Sequence, residues 1–290
     1  MIHRNIAHNG KLLPIEQVRL SPGQAGLLNG WGLFTTLRII DGEPFCFERH
    51  WRRLQKDAAL TNLPIPISAD AALAQLHELI RANAAADACA RIYFVSNTGF
   101  WSSDEPAPQV DAILYTAALP EYPEPARLAV REHGRHAASP LAGVKTTAWL
   151  NNVWCLHAAQ KAGYNEVVLL NERGEVAECT AANIFCVKGG AVLTPPLASG
   201  CLEGVTRGLL LELGPQHGVP VYERTLLPGD VWTADEVFIS STNRDLLAIS
   251  EIAGNPIKSA PGPVTQRLAR IFAEFVAETI AQQKKLAAAR

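Results

Sequence analysis

The chain has 290 residues, of which 48% are hydrophobic and 19% charged, and a formal net charge of −2. That balance is globular, and at roughly 100–200 residues per domain two domains are expected. It excludes a general nucleic-acid binder, which needs a basic face. The six cysteines include no Cys-x-x-Cys pair, which argues against a disulfide scaffold or a zinc site and for a reduced, cytoplasmic protein. No apolar run reaches the ~18 residues of a membrane span, and none near the start has signal-peptide length, so no membrane partner is expected.

Short strands and turns are predicted over residues 1–45. Asn9-Gly10 and Asp41-Gly42 read as hairpin turns, because both pairs tolerate positive φ. Gly30 and Gly32 flank Trp31 and read as a tight bend or a close backbone approach, suited to a packed turn or to a site. Phe47, Trp51, Leu54 and Ala58 recur at spacings of 4, 3 and 4, predicting a helix over 47–63. Arg49, Arg52 and Lys56 fall opposite that stripe, and Arg53 lies on the flank shared with His50; Pro64 and Pro66 end the helix. A second helix over 69–83 precedes strands over 91–97 and 110–116, with a polar loop over 99–109. Ala118–Pro125 carries three prolines in eight residues, a stiff connector. The expected division is an N-terminal α/β domain (1–117), a linker (118–126) and a larger C-terminal domain (127–290).

In the second half, strands are predicted over 127–132, 166–170, 182–188, 191–194 and 236–240. Helices are predicted over 149–162, ended by Gly163, and over 206–213. A final amphipathic helix spans about 264–284, with Leu268, Ile271, Phe272, Phe275 and Ile280 as its apolar face.

The chemistry centres on 174–207. A hairpin there carries Glu178 and Asn183, and a turn-rich passage leads into Gly204-Val205-Thr206 at a predicted helix start, where N–H groups and the helix dipole favour an anion such as phosphate. Lys145 sits among small and β-branched residues, a setting in which a lysine loses part of its preference for protonation and can form a Schiff base. A lysine, a carboxylate and a phosphate cup suggest pyridoxal 5'-phosphate (PLP), although an ordinary surface lysine and a strand-edge glutamate also fit each residue alone. Ser241-Thr242-Asn243 is a second hydroxyl-bearing element end. No H-E-x-x-H, G-x-S-x-G, P-loop or Rossmann pattern is present. His133 and His136 lack a nearby Cys ligand, so no metal site is expected, and Cys46 with His50 reads as packing.

Five colinear blocks carry a resemblance: GWGLFTTLRIIDGEPFCFERHWRRL (30–54), VKTTAWLNN (144–152), NEVVLLNERGEVAECTAANIF (165–185), TPPLASGCLEGVTR (194–207) and DEVFISSTNRDLLAISEIAG (235–254). The chain resembles the class IV, fold-type IV PLP enzymes, which include branched-chain aminotransferases, D-amino-acid aminotransferases and aminodeoxychorismate lyases. The resemblance implies an N-terminal α/β sandwich-like domain, a β-barrel-like C-terminal domain with surrounding helices, the cofactor between them, and a homodimer whose partner subunit adds to the substrate pocket. It implies that Lys145 is the catalytic aldimine lysine, that Glu178 pairs with the pyridine nitrogen and that Arg53 grips the phosphate. Val205, Thr206 and Thr242 would complete the phosphate cup, and Asn183 would support the glutamate loop. Phe34, Arg91, Thr98 and Asn243 are candidates for the substrate side, Arg91 as a carboxylate fork.

Some positions depart from the subfamilies. Cys89 stands where branched-chain enzymes carry a tyrosine, Trp149-Leu150 replaces a tyrosine after the lysine, and Thr98 replaces the arginine of D-amino-acid enzymes. The implied function is transfer of an amino group between an amino acid, apolar or branched, and a 2-oxo acid. The alternatives are an aminodeoxychorismate lyase of the folate pathway, releasing 4-aminobenzoate and pyruvate, and a non-catalytic PLP-binding protein.

Overall fold

The computed structural model describes residues 1–97 and 109–288, in two compact units. The first comprises Met1–Pro120, Lys145–Trp149 and Glu278–Arg290, and the second Glu121–Val144 and Leu150–Ala277. Lys145–Trp149 and the C-terminal segment thus group with the first unit, although both lie beyond the proline-rich connector in sequence.

The first unit contains β1 (Ile2–His8), β2 (Lys11–Pro14), α1 (Ala25–Asn29), β3 (Gly32–Ile40), β4 (Glu43–Pro44), α2 (Phe47–Thr61), α3 (Ala69–Ala82), β5 (Ala88–Ser96) and β6 (Val110–Ala117). Its strands form one antiparallel sheet in the order β2-β1-β6-β5-β3-β4. Both expected hairpin turns are present, with positive φ at Asn9 and Gly10 and at Asp41 and Gly42. Period-two patterning gives β5 one face of Ala88, Ala90, Ile92 and Phe94, all fully buried, and an opposite face with half-buried Arg91 and Tyr93. The apolar stripe of α2 is buried, Arg52 and Lys56 are exposed, and Arg53 and His50 turn inward together. The helix stops at Thr61 rather than Leu63 because Asn62 takes a left-handed conformation, φ 52°, and its N–H closes on Ala58 and Ala59. Burying Leu37, Leu54, Leu76 and Leu79 contributes about 1.5–3 kcal/mol each.

The second unit contains β7 (Ala126–Arg131), α4 (Leu150–Lys161), β8 (Glu166–Leu170), β9 (Val176–Cys179), β10 (Asn183–Lys188), β11 (Ala191–Thr194), α5 (Val205–Gln216), β12 (Val221–Glu223), α6 (Pro228–Trp232), β13 (Glu236–Ser241), β14 (Asp245–Ile252), β15 (Asn255–Pro256) and most of α7 (Pro263–Ala288). Its sheet runs β12-β11-β10-β13-β14-β7-β8-β9, with β15 beside β14. Pairs β11–β12, β14–β7 and β7–β8 are parallel. β8 and β13 read as near-continuous apolar runs because they are buried on both faces, around a core of Leu128, Val168, Ile184, Val237, Ile239 and Ile249. Glu236 accepts from the N–H groups of Val264 (2.9 Å) and Thr265 (2.7 Å), so a side chain distant in sequence caps α7. Among the described residues no helix is long and apolar enough to cross a membrane.

Candidate active site

Lys145 owes its place to β3. Lys145–Trp149 runs beside the start of that strand: Phe34 N–H donates to the Lys145 carbonyl at 3.0 Å, and Thr147 N–H donates to the Gly32 carbonyl at 2.9 Å. Gly30 and Gly32 make the approach possible. A Cβ on Gly30 would lie 2.9 Å from Ala148 Cβ, and one on Gly32 2.7 Å from Thr147 Oγ1. Both readings of Gly30-Trp31-Gly32 hold, since Gly30 takes φ 67° and Gly32 N–H closes a tight bend on the Gly30 carbonyl at 2.9 Å while the main chain of 147–148 comes close to both glycines. On its other side, Lys145 N–H donates to Asp57 Oδ2 at 3.2 Å. Burial pushes the Asp57 carboxyl up, against the pull of that N–H and of the Arg53 charge. The Lys145 amine lies 4.4 Å from the centroid of the Phe34 ring and 5.5 Å from that of Trp149. Main-chain bonds hold the lysine, and two aromatic rings lie beside its amine.

Arg53 is set by a chain of two further groups. Its Nη2 donates to Thr35 Oγ1 at 3.0 Å, and Thr35 Oγ1 lies 3.0 Å from His50 Nδ1. Burial first, then the Arg53 and Lys145 charges, hold the His50 imidazole well below its ordinary value of 6.5. A neutral imidazole with its proton on Nε2 accepts the Thr35 hydroxyl proton at Nδ1 while that oxygen accepts from Arg53, so one tautomer is compatible with both contacts. Because the folded value lies below the unfolded one, the unfolded chain takes a proton on His50 that the folded chain refuses, and stability falls as pH drops below 6.5 towards the folded value. The melting temperature is expected to fall more steeply between about pH 7.5 and about 5.5 in the wild type than in His50→Gln; parallel profiles would show that His50 is not the group refusing the proton.

Arg91 lies on the open face of the same sheet. Its Nη1 donates to the hydroxyls of Tyr93 and Tyr115, both at 3.2 Å, and Tyr93 stacks between Phe34 (5.1 Å) and Tyr115 (5.8 Å). Arg91 Nε is buried with no hydrogen-bond partner among the described residues. Phe34, Lys145, Trp149, Tyr93 and Arg91 are thus one connected group in the first unit.

In the second unit, Glu178 on β9 is 6% exposed. Its Oε1 accepts from Arg135 Nε at 2.8 Å, and its Oε2 from Leu202 N–H at 3.0 Å. Arg135 is oriented by Asn152 Oδ1 at 3.0 Å, and Asn152 Nδ2 donates to the Thr180 carbonyl at 2.5 Å. Asn183 Nδ2 donates to the Leu202 carbonyl at 2.9 Å, so Asn183 and Glu178 hold the main chain of one residue, Asn183 at its carbonyl and Glu178 at its N–H. Leu202 leads to Gly204, where a Cβ would meet Asn183 Oδ1 at 2.0 Å.

α5 starts at Val205 with Gly204 as its N-cap, no capping side chain and no acidic residue in its first turn. Its first N–H groups have no intrahelical acceptor, and buried Thr206 adds a hydroxyl. Thr242 and Asn243 sit in the turn between β13 and β14; Asn243 Oδ1 in the turn and Ser240 Oγ near the end of β13 are buried without partners among the described residues. Thr98 lies outside the described residues. Sequence reasoning missed Arg135, Asn152, Thr35 and Asp57; Arg135 lies 43 residues from Glu178, and no local pattern marks it.

The model of the Amino-transferase class IV family matches residues 32–252. The chain belongs to that family. It is 31% identical, over 92% of its length and 94% of the relative's, to a Methanocaldococcus jannaschii protein provisionally named a branched-chain-amino-acid aminotransferase. It is 26% identical to the aminodeoxychorismate lyase of Bacillus subtilis, over 94% of each chain. Among solved structures, the branched-chain aminotransferase of Thermoproteus uzoniensis with norvaline superposes with a TM-score of 0.87, at 28% identity and 96% coverage of each chain. As a class IV aminotransferase the chain is an enzyme, and the family's cofactor is PLP. The donor set fits that group. In the second unit, an uncapped helix with no acidic residue in its first turn suits a phosphate, and a buried carboxylate with both oxygens fixed suits a pyridine nitrogen; in the first unit, a lysine amine beside two aromatic rings suits a Schiff base.

Proposed function

We propose that this enzyme binds PLP and transfers an amino group between an apolar or branched-chain amino acid and a 2-oxo acid. The observation that carries the reading is the setting of Lys145, whose N–H and carbonyl are both hydrogen-bonded while its amine faces Phe34 and Trp149. Bound PLP supplies the electron sink that lets a Cα–H bond break. Lys145 holds the cofactor and moves the proton at the substrate Cα. Glu178 keeps the pyridine nitrogen protonated, with Asn183 supporting its loop. Arg53, the Val205 backbone, Thr206 and Thr242 bind the phosphate. Phe34, Arg91 and Asn243 face the substrate, Arg91 towards a carboxylate. A homodimer in the cytoplasm completes the reading.

The similarity to the two branched-chain enzymes supports the apolar substrate class. The lyase relative keeps a second reading in play, carbon–carbon cleavage that releases pyruvate. The test is the absorption spectrum of the holoenzyme with L-leucine, D-alanine or L-glutamate added separately. Conversion of the bound cofactor's long-wavelength band to a pyridoxamine-like band is expected with L-leucine. A band that no amino acid converts, with pyruvate released from aminodeoxychorismate, would replace transfer by the lyase reading.

A further inference from the structure

Glu166 opens β8 and is 1% exposed, yet it carries a carboxylate. Its Oε1 accepts from Val167 N–H (3.0 Å), from Thr180 N–H (3.2 Å) and from the Thr180 hydroxyl, and its Oε2 accepts from Arg244 Nη2 at 3.1 Å. Arg244 stands in the β13–β14 turn, immediately after Thr242 and Asn243. Its Nη1 donates to the Ala181 carbonyl at 2.9 Å and to Ser241 Oγ at 3.4 Å, and its guanidinium lies 4.2 Å from the centroid of the Tyr122 ring. Both side chains of the pair are almost wholly buried, at 8% and 2% exposure.

Such a pair is a poor source of stability, because desolvation offsets most of the attraction and apolar replacements are often as stable. The β13–β14 hairpin does not need it either, since Ser241 already pairs with Asp245 in the ladder. What the pair does join is the turn bearing Thr242 and Asn243 to Thr180–Ala181, the segment that directly follows β9, the strand of Glu178. The same turn holds Asn243 Oδ1 buried without a partner among the described residues, a polar atom kept in place at an energetic cost, and Ser240 Oγ on the adjoining end of β13 is in the same state.

We propose that Arg244 and Glu166 form a strut that fixes the Thr242–Asn243 turn relative to the Glu178 segment, making Arg244 a positioning residue for cofactor binding. The proposal rests on the reading that Thr242 and Glu178 hold opposite ends of PLP. The guanidinium fork is essential to it, because two of its nitrogens serve three acceptors on three segments, which an ammonium cannot reproduce.

The test compares PLP dissociation from the holoenzyme, by equilibrium dialysis, with the melting temperature in Arg244→Met, Arg244→Lys, Glu166→Gln/Arg244→Met and Thr242→Ala. Arg244→Met strands a buried carboxylate and is expected to lower both stability and affinity. The double variant removes the stranded charge, so its melting temperature recovers while its Kd for PLP stays raised on the order of tenfold or more. Arg244→Lys keeps a charge against Glu166 and is expected to fold, with an intermediate Kd. A double variant that recovers stability and wild-type Kd together, or an Arg244→Lys enzyme with wild-type Kd, would overturn the strut. Thr242→Ala separates the two ideas. A raised Kd there with a wild-type Kd in the double variant keeps the phosphate reading and removes the strut. The reverse pattern removes the role of Thr242 and leaves the strut acting through the Glu178 segment.

Discussion

Lys145→Ala is expected to abolish the proposed transfer, with kcat lowered by roughly 10⁴-fold or more, since on that proposal it removes both the covalent attachment and the proton carrier. The fold should survive, because what places Lys145 is its main chain, through Phe34 N–H and Asp57 Oδ2, and alanine keeps both bonds. The melting temperature of the cofactor-free protein should therefore match the wild type within a few degrees. Borohydride treatment of the holoenzyme followed by peptide mass analysis checks the cause directly. The wild type should carry the cofactor mass on the peptide containing Lys145, and the variant on no peptide. Cofactor trapped on a different lysine, or substantial turnover in the variant, would remove Lys145 from the centre of the reading.

Glu178→Gln is the second large effect, and here stability and rate should fall together. Both carboxylate oxygens accept, one from Arg135 Nε and one from Leu202 N–H. An amide has one acceptor and one donor, so either orientation sets an NH₂ against another N–H and leaves the Arg135 charge without its counter-ion. A loss of about 1–3 kcal/mol is expected from that mismatch. On the proposed role of Glu178 opposite the pyridine nitrogen, loss of its charge should lower kcat by about 10²–10³-fold, in the range seen when one preorganised electrostatic partner is removed. Chemical denaturation and steady-state kinetics on the same preparation measure both. A variant that loses stability but keeps wild-type kcat would leave Glu178 as a structural partner of Arg135 alone.

How far these residues could be read from the chain depends on how local their causes are. The stripe of α2, the turns at Asn9-Gly10 and Asp41-Gly42 and the buried runs of β8 and β13 rest on neighbours in sequence, and there periodicity and turn chemistry give the right elements. The end of α2 was less legible, because it depends on one asparagine adopting positive φ rather than on the prolines beyond it. Lys145 and Glu178 stood out through motif resemblance; composition alone offered ordinary alternatives for both. Their surroundings were hidden. Asp57 lies 88 residues from Lys145 in sequence, Thr35 lies 18 from Arg53, and Arg135 lies 43 from Glu178. Hydrogen bonds of that span depend on tertiary packing and leave no periodic trace. Gly30 and Gly32 illustrate the limit, since a bend is legible from the glycines themselves while Thr147 and Ala148, which lie against them, are far along the chain.

The membership of the first unit bears on synthesis. Residues 145–149 and 278 onward belong to it, while the stretches between belong to the second. A nascent chain that has emerged only as far as Pro120 has the six strands of the first sheet, but neither the segment that lies along β3 nor the helical end whose Lys284 pairs with Asp41 at 3.0 Å. Vectorial folding can therefore begin with this unit but cannot finish it before the ribosome reaches the last turns of α7. A stop codon near the C-terminus would subtract from the part of the protein made first.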